Sequence, residues 1–421
     1  MQGERQVVIT GIGVVSPIGI GIEAYWNSLC SGNSGIGPIT EFDATGLPVS
    51  FGGELKNFDA KKHIKPRKSL KVMCREIQTA CVAANLAAAE SGIDSFEFAR
   101  ERMGVVYGSE MLYGDLAEYA DVYRKCAVDG EFEFDRFGTE FPHAMNPLWM
   151  LKYLPNMAAC HVAISQDARG PNNTIVLGEA SSLMAMIEAT NTIRRGAADV
   201  MIAGGTGTRI SITGMLYRGD SQLSHRSETP SEACRPYDLD RDGMVYGEGA
   251  AAFVLEEASF AKKRNAPILC HITGFGQTVD TKDGAQSKKD AIQNSLSITL
   301  RSAGVQADQI SHINPNGLST IDDDVVEAQA IHKLLGDVPV TAPQSYFGHV
   351  GAGSSAVELV ASVLAITRKE VPRTLNYSKP DPSCPIKVVK ESMSTVKPAA
   401  IKMSQSQTGQ CVALAIEAPT P

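Results

Sequence analysis

The sequence predicts an α/β protein built from two similar halves. VVITGIGVVSP at residues 7–17 and CHITGFGQTVDT at residues 270–281 are both apolar runs that pass through ITGxG. Each is followed by helices and strands in a similar order, which is the pattern of a duplicated unit. The halves are expected to span residues 1–255 and 256–421. No low-complexity linker lies between them, so they are expected to pack rigidly on each other.

Taken in order, QVVITGIGVVSP reads as the first strand and IEAYWNSLCSG as a short helix. SLKVMCREIQTACVAANLAAAESG, residues 69–92, repeats its apolar residues every three or four positions and ends on Gly92, which predicts a helix. MGVVYGSE is the next strand. Residues 109–156 read as an irregular insert, mixed in charge and rich in aromatics. An insert of that length in a compact domain is usually a lid, a pocket wall or an interface. The strand TIVLG, the helix SSLMAMIEATNTIRRG and the strand ADVMIAGG follow. GMVYGEGAAAFVLEEASFAKKRNA is expected to supply paired strands and a charged exit. In the second half the helix DAIQNSLSITLRSAG, the strand ISHINPNG, the helix DDVVEAQAIHKLLG and the closing strand QCVALAIEA repeat the order.

Composition narrows the function. The chain has 421 residues, 43% apolar and 20% charged, and a formal net charge of -8. That charge offers no basic field for nucleic acid. No apolar run approaches the ~18–20 residues needed to cross a bilayer, and the first residues do not read as a secretory signal. A cytoplasmic protein without a membrane or nucleic-acid partner is the expectation. Nine scattered cysteines without CxxC pairs argue against a disulfide framework and against zinc. No metal and no cofactor is expected.

The segment TIVLGEASSL, residues 174–183, has the cadence of a buried strand turning through glycine into a helix. Enzymes often mount a nucleophile at such an elbow, yet the residue there is Glu179. A carboxylate has a reference pKa of roughly 4 and attacks thioesters poorly. The resulting mixed anhydride would be less stable than the thioester it came from. Glu179 is instead expected to rest as an anion on the free N–H groups and dipole of the following helix.

Five segments together carry a resemblance: VVITGIGVVSPIG, RGPNNTIVLGEASSL, IRRGAADVMIAGG, CRPYDLDRDGMVYGEGAAAFVLEE and SYFGHVGAGSSAVE. The chain resembles the β-ketoacyl synthases, specifically the type II elongating synthases of fatty acid and polyketide pathways. The resemblance covers essentially the whole chain. It implies the thiolase fold, with two duplicated α/β halves in layers αβαβα, and a dimer in which the 109–156 insert joins the interface and the acyl pocket. Active members of that family use a Cys, two His and a supporting Lys. The thiolate at a helix N-terminus takes the acyl chain, and the imidazoles stabilise the enolate and the oxyanion.

Set on that pattern, Glu179 occupies the Cys position, Asn316 in NPNGLST the first His position, and Gln344 in QSYFGH the Lys position. His349 keeps the second His. Glu358, which faces the Lys in active relatives, and Asp324 are kept as support. Ser404 to Gln410 replaces a Gly-rich loop at the pocket, which makes Gln405 and Thr408 expected substrate contacts. Met111 falls where relatives limit pocket depth. Arg241 and Asp242 read as turn and core-network residues, and Cys160 and Cys411 as core. His161, Trp149 and Tyr153 are candidates for an interface. Lys65, Arg67, Lys68 and Lys71 could meet an acidic carrier protein or simply form a solvated helix start.

The resemblance therefore implies a catalytically deficient homologue of the chain-length-factor type. Such a subunit would partner an active ketosynthase and act on chains bound to acyl carrier protein. Chain length factors usually carry Gln where this chain has Glu179, and decarboxylating loading domains carry Gln but keep both His. Two alternatives stand beside this reading. One is an enzyme acting alone on acyl-carrier-protein substrates as acyltransferase, hydrolase or decarboxylase, through Glu179 and His349. The other is a homodimeric acyl-binding scaffold.

Overall fold

The structure is a computed structural model that describes residues 5–110, 114–280 and 284–419. Its first half contains β1 (Val7–Ser16), α1 (Arg75–Ser91), β2 (Met103–Gly108), β3 (Asn172–Ile175), α2 (Ser181–Arg194), β4 (Val200–Thr208) and β5 (Glu248–Glu257). The second contains β6 (Cys270–Val279), α3 (Ala285–Ala303), β7 (Ile310–Asn314), α4 (Ile321–Leu335), β8 (Pro339–Val340), α5 (Ser354–Arg368), β9 (Ala399–Gln405) and β10 (Gln410–Glu417). The strand order is β3-β2-β4-β5-β1 in the first half and β8-β7-β9-β10-β6 in the second. β5 runs antiparallel to β1 and β4, while β4, β2 and β3 run parallel. β10 runs antiparallel to β6 and β9, while β9, β7 and β8 run parallel. Val7–Ile9 of β1 pairs with Cys270–Ile272 of β6 and joins the two arrays.

The ITGxG echo has a physical cause. The register slips between Ile9 and Gly11 in one copy and between Ile272 and Gly274 in the other, so each Thr sits in a bulge. The glycines then let a helix lie directly on the strand. A Cβ on Gly13 would stand 1.9 Å from the Ala83 carbonyl oxygen of α1, and one on Gly276 2.3 Å from the Ser295 carbonyl oxygen of α3.

Helices α1 on one side and α3 with α4 on the other form the outer layers. Helices α2 and α5 lie between the sheets: α2 touches β2, β4 and β10, and α5 touches β7, β9, β4 and β5. This is the layered αβαβα thiolase fold. A helix covered on both faces has no polar stripe. Accordingly α5 is buried continuously from Ser354 to Ile366. Among the described residues no helix is long and apolar enough to cross a membrane.

Several expectations need correction. The helix expected over 69–92 begins at Arg75, because Arg67–Val72 forms a 3-10 turn and Met73 is extended with its side chain buried. The described part of the insert, residues 114–156, is largely helical rather than irregular. Helices Leu116–Cys126 and Phe134–Ala144 pack around Val122, Cys126 and Met145, with Tyr119, Phe137, Phe141 and Trp149 against them. Met244 to Gly247 form only isolated bridges instead of a paired strand, and Ala258–Lys263 is a helical turn. β9 escaped the periodicity because its sequence, AAIKMSQ, places Lys402 inside a fully buried strand.

Candidate functional site

The elbow is real. Gly178 takes φ 56°, a left-handed conformation that glycine adopts without a Cβ clash, and turns β3 into α2. Ser181 Oγ accepts from the Leu177 N–H at 2.9 Å and donates to the Gly178 carbonyl at 2.5 Å, closing the turn. The Glu179 backbone carbonyl accepts from Ser404 Oγ at 3.0 Å and Ser355 Oγ at 3.2 Å, so the second half grips the elbow of the first.

The Glu179 side chain is held differently from expectation. Its carboxylate accepts from Arg209 Nη2 at 2.9 Å and from the Gln407 backbone N–H at 3.3 Å, rather than from the first N–H groups of α2. The reason is competition: a guanidinium placed just after β4 offers a full charge where the helix end offers a fraction of one. Burial raises the Glu179 pKa, but the Arg209 charge and the N–H groups of Glu179 and Gln407 hold the carboxyl below its ordinary value. Burial, with help from Arg209, pushes the His349 imidazole down to about 3. The ring is therefore neutral near pH 7, and Arg209 is the cation that keeps Glu179 ionised.

Arg209 also lies 3.3 Å from Glu110, and Glu110 accepts from Arg218 at 3.1 Å. The result is a chain of alternating charge, Glu179–Arg209–Glu110–Arg218. Burial raises the Glu110 pKa against the opposing pull of Arg209 and Arg218. Gly351 is glycine for a reason of space: a Cβ there would stand 2.4 Å from Glu110 Oε1 and 2.7 Å from Arg209 Nε.

The second half supplies the facing wall. The Asn316 side-chain amide donates to the Gln405 carbonyl at 3.2 Å and accepts from the Gln405 N–H at 3.3 Å. Glu327 fixes this loop by accepting from the N–H groups of Asn316 and Gly317 at 2.8 and 2.9 Å and from Gln405 Nε2 at 2.9 Å. His349 Nδ1 accepts from the Gly351 N–H at 3.4 Å, which leaves Nε2 to carry the proton of the neutral ring. Gln344 donates to the Gly317 carbonyl at 3.2 Å.

The sequence reading missed a further partner besides Arg209 and Glu110. Glu358 pairs with Lys402 of β9, whose Nζ also donates to the Pro315 carbonyl at 2.9 Å and to Asn314 Oδ1 at 3.3 Å. A lysine is absent at 344, yet a buried ammonium still faces Glu358. Its only sequence signal was a lone Lys inside an apolar stretch. Burial pushes the Glu358 pKa up to about 7, against Lys402. Asp324 supports from outside the cavity: it accepts from the N–H groups of Tyr237 at 2.8 Å and Ser319 at 3.1 Å, near Arg241 at 3.7 Å. Arg241 ties Thr320, Ile321, Asp238 and Asp381 together, as a core-network residue should. Asp242 meets Arg226 at 3.2 Å, away from the site.

Glu179, Asn316, His349 and Gln405 line one cavity of about 430 Å³, with Arg218, Lys288, Asp323 and Gln407. Gln344, Glu358, Asp324 and Lys402 stand behind its wall. Thr408 is exposed and turned back on Ser406 and Gln410. Met111 lies outside the described residues. None of the nine cysteines lines this cavity: Cys411 is buried in the second-half core, and Cys160 lies beside Asn156. Among the described residues no cluster of His, Cys, Asp or Glu could hold a metal ion.

The geometry joins a strand–glycine–helix elbow to an Asn316 loop, a histidine loop and a C-terminal loop around one cavity. Comparison with known proteins agrees. Residues 4–261 match the beta-ketoacyl synthase N-terminal domain and residues 269–378 the C-terminal domain. The chain belongs to the β-ketoacyl synthase family. It is 34% identical over 424 residues to the 3-oxoacyl-[acyl-carrier-protein] synthase 2 of Synechocystis sp., covering 98% of each chain. The ishigamide ketosynthase/chain length factor superposes with a TM-score of 0.84 at 27% identity, covering 99% of this chain and 100% of that one. A type II polyketide acyl-carrier protein in complex with its ketosynthase bound to the hexaketide gives 0.82 at 26% identity, over 99% and 100%. Against the synthase pattern, this family member has an ion-paired carboxylate at the elbow and an amide, Asn316, whose polar atoms bond to backbone.

Proposed function

We propose that this β-ketoacyl synthase homologue is a partner subunit of the chain-length-factor type, paired with an active ketosynthase that extends chains on acyl carrier protein. The observation that carries the reading is the Glu179–Arg209 contact of 2.9 Å at the elbow. A carboxylate spent on a buried guanidinium is unavailable as a base, and it cannot hold an acyl group as a stable thioester would. A stable thioester needs sulfur, and no cysteine lines the cavity.

The surface supports a partner. β3 is the outermost strand of the first half, and Ile164 and Val176 close to it are 72% and 50% exposed. Phe134 of the insert is 75% exposed. Exposed apolar groups beside an edge strand favour association with another chain, and an active ketosynthase of the same fold fits a matching edge. Lys65, Arg67, Lys68 and Lys71 are exposed, or nearly so, along one short stretch and suit an acidic carrier protein. The test is co-expression with a ketosynthase that keeps Cys, His and His. Recovery of a stoichiometric heterodimer with chain-extending activity supports the reading, and two chains that purify apart as separate species oppose it.

A further inference from the structure

We propose that Glu110, Arg209 and Arg218, with Glu179, form a polar plug that bars hydrocarbon acyl chains from this subunit's own cavity. The inference goes beyond the partner-subunit reading, since it concerns what this cavity binds whatever the chain pairs with.

An acyl chain enters a protein because apolar walls replace water along its length. Here the cavity wall is almost entirely polar: Met244 and Leu318 are the apolar members among the described lining residues. Beneath Glu179 a narrower cavity of about 190 Å³ adjoins, where Arg209 and Arg218 stand beside Tyr217, Leu223, Met244 and Tyr246. Side-chain exposures are 8% for Glu179, 4% for Arg209, 10% for Glu110 and 19% for Arg218. Successive contacts of 2.9, 3.3 and 3.1 Å link the four side chains into one charged chain along the wall. Gly207 and Gly351 pack closely against Glu110, with hypothetical Cβ atoms 3.4 and 2.4 Å from its Oε1. For a methylene chain to pass, the ion pairs would have to part and stay buried unpaired, which the low dielectric of the site opposes. Specificity would then come from rejection: the charges need do nothing for a preferred ligand to exclude a greasy one.

The test is isothermal titration of the purified full chain with the dodecanoyl thioester of N-acetylcysteamine, a neutral probe. The native chain is expected to show no saturable binding up to the solubility limit. The double variant Glu110→Ala with Arg209→Met removes one charge of each sign and opens the plug, and is expected to bind at least tenfold more tightly than the native chain. Saturable binding by the native chain overturns the proposal, as does a folded double variant that binds no better. Should that variant fail to fold, Glu110→Gln with Arg209→Gln keeps the bulk and removes the charges, and it is expected to gain binding over the native chain. No gain there overturns the proposal too. Heterodimer recovery is measured separately, so either idea can fail alone.

Discussion

Lys402 and Arg209 are both buried cations acting on His349, but they are held differently. The Lys402 ammonium has three N–H donors and three acceptors: Glu358, the Pro315 carbonyl and Asn314 Oδ1. Arg209 directs Nη2 to both Glu179 and Glu110, while its buried Nε has no acceptor among the described residues. Lys402 is thus a strut with every donor spent, fixing the loop that carries Asn316. Arg209 belongs to a charged chain that borders the cavity and whose bonding is incomplete. One buried cation ties Glu358 to the loop that carries Asn316, and the other ties Glu179 and Glu110 together at the cavity.

That contrast orders the expected losses. Lys402→Met leaves Glu358 buried without its ion partner and is expected to cost about 3–5 kcal/mol in urea unfolding. Adding Glu358→Leu is expected to recover most of the loss. Arg209→Gln should cost less, about 1–3 kcal/mol, because Arg218 still neutralises Glu110 and the cavity lets water reach Glu179. Equal losses would erase the distinction between strut and site.

The pH response sharpens the contrast further, because the two carboxyls shift in opposite directions. The folded pKa of Glu358 is raised to about 7, above its unfolded value of roughly 4.3. Its contribution to stability is complete below the unfolded value and is lost as pH rises through about 7. Glu179 is lowered, so its contribution is present above the unfolded value and is lost as pH falls. Melting temperature against pH is expected to fall less steeply toward neutrality in Glu358→Gln, and less steeply toward acid in Glu179→Gln. Identical profiles for the two variants would contradict these assignments.

Much of this was legible in the sequence. The ITGxG echo exposed the duplication because glycine has to stand wherever a helix crosses a strand closely, and that need recurs in both halves. Glu179, Asn316, His349 and Gln405 were found because each lies in a contiguous motif, and they do meet at one cavity. Arg209, Glu110 and Lys402 were not found. Each is a charged residue buried by contacts made far along the chain: 30 residues separate Arg209 from Glu179, and 44 separate Lys402 from Glu358. No local period reports such a pairing. The expected role of the α2 N-terminus failed for the same reason, since a distant guanidinium outcompeted the local N–H groups.

The central claim is that this elbow holds no acyl group for extension. The direct measurement is incubation of the purified chain with a radiolabelled acyl thioester and malonyl-carrier protein, followed by intact-protein mass spectrometry and product analysis. The expected result is an unmodified polypeptide and no lengthened chain. A covalent acyl adduct that is then extended would contradict the account.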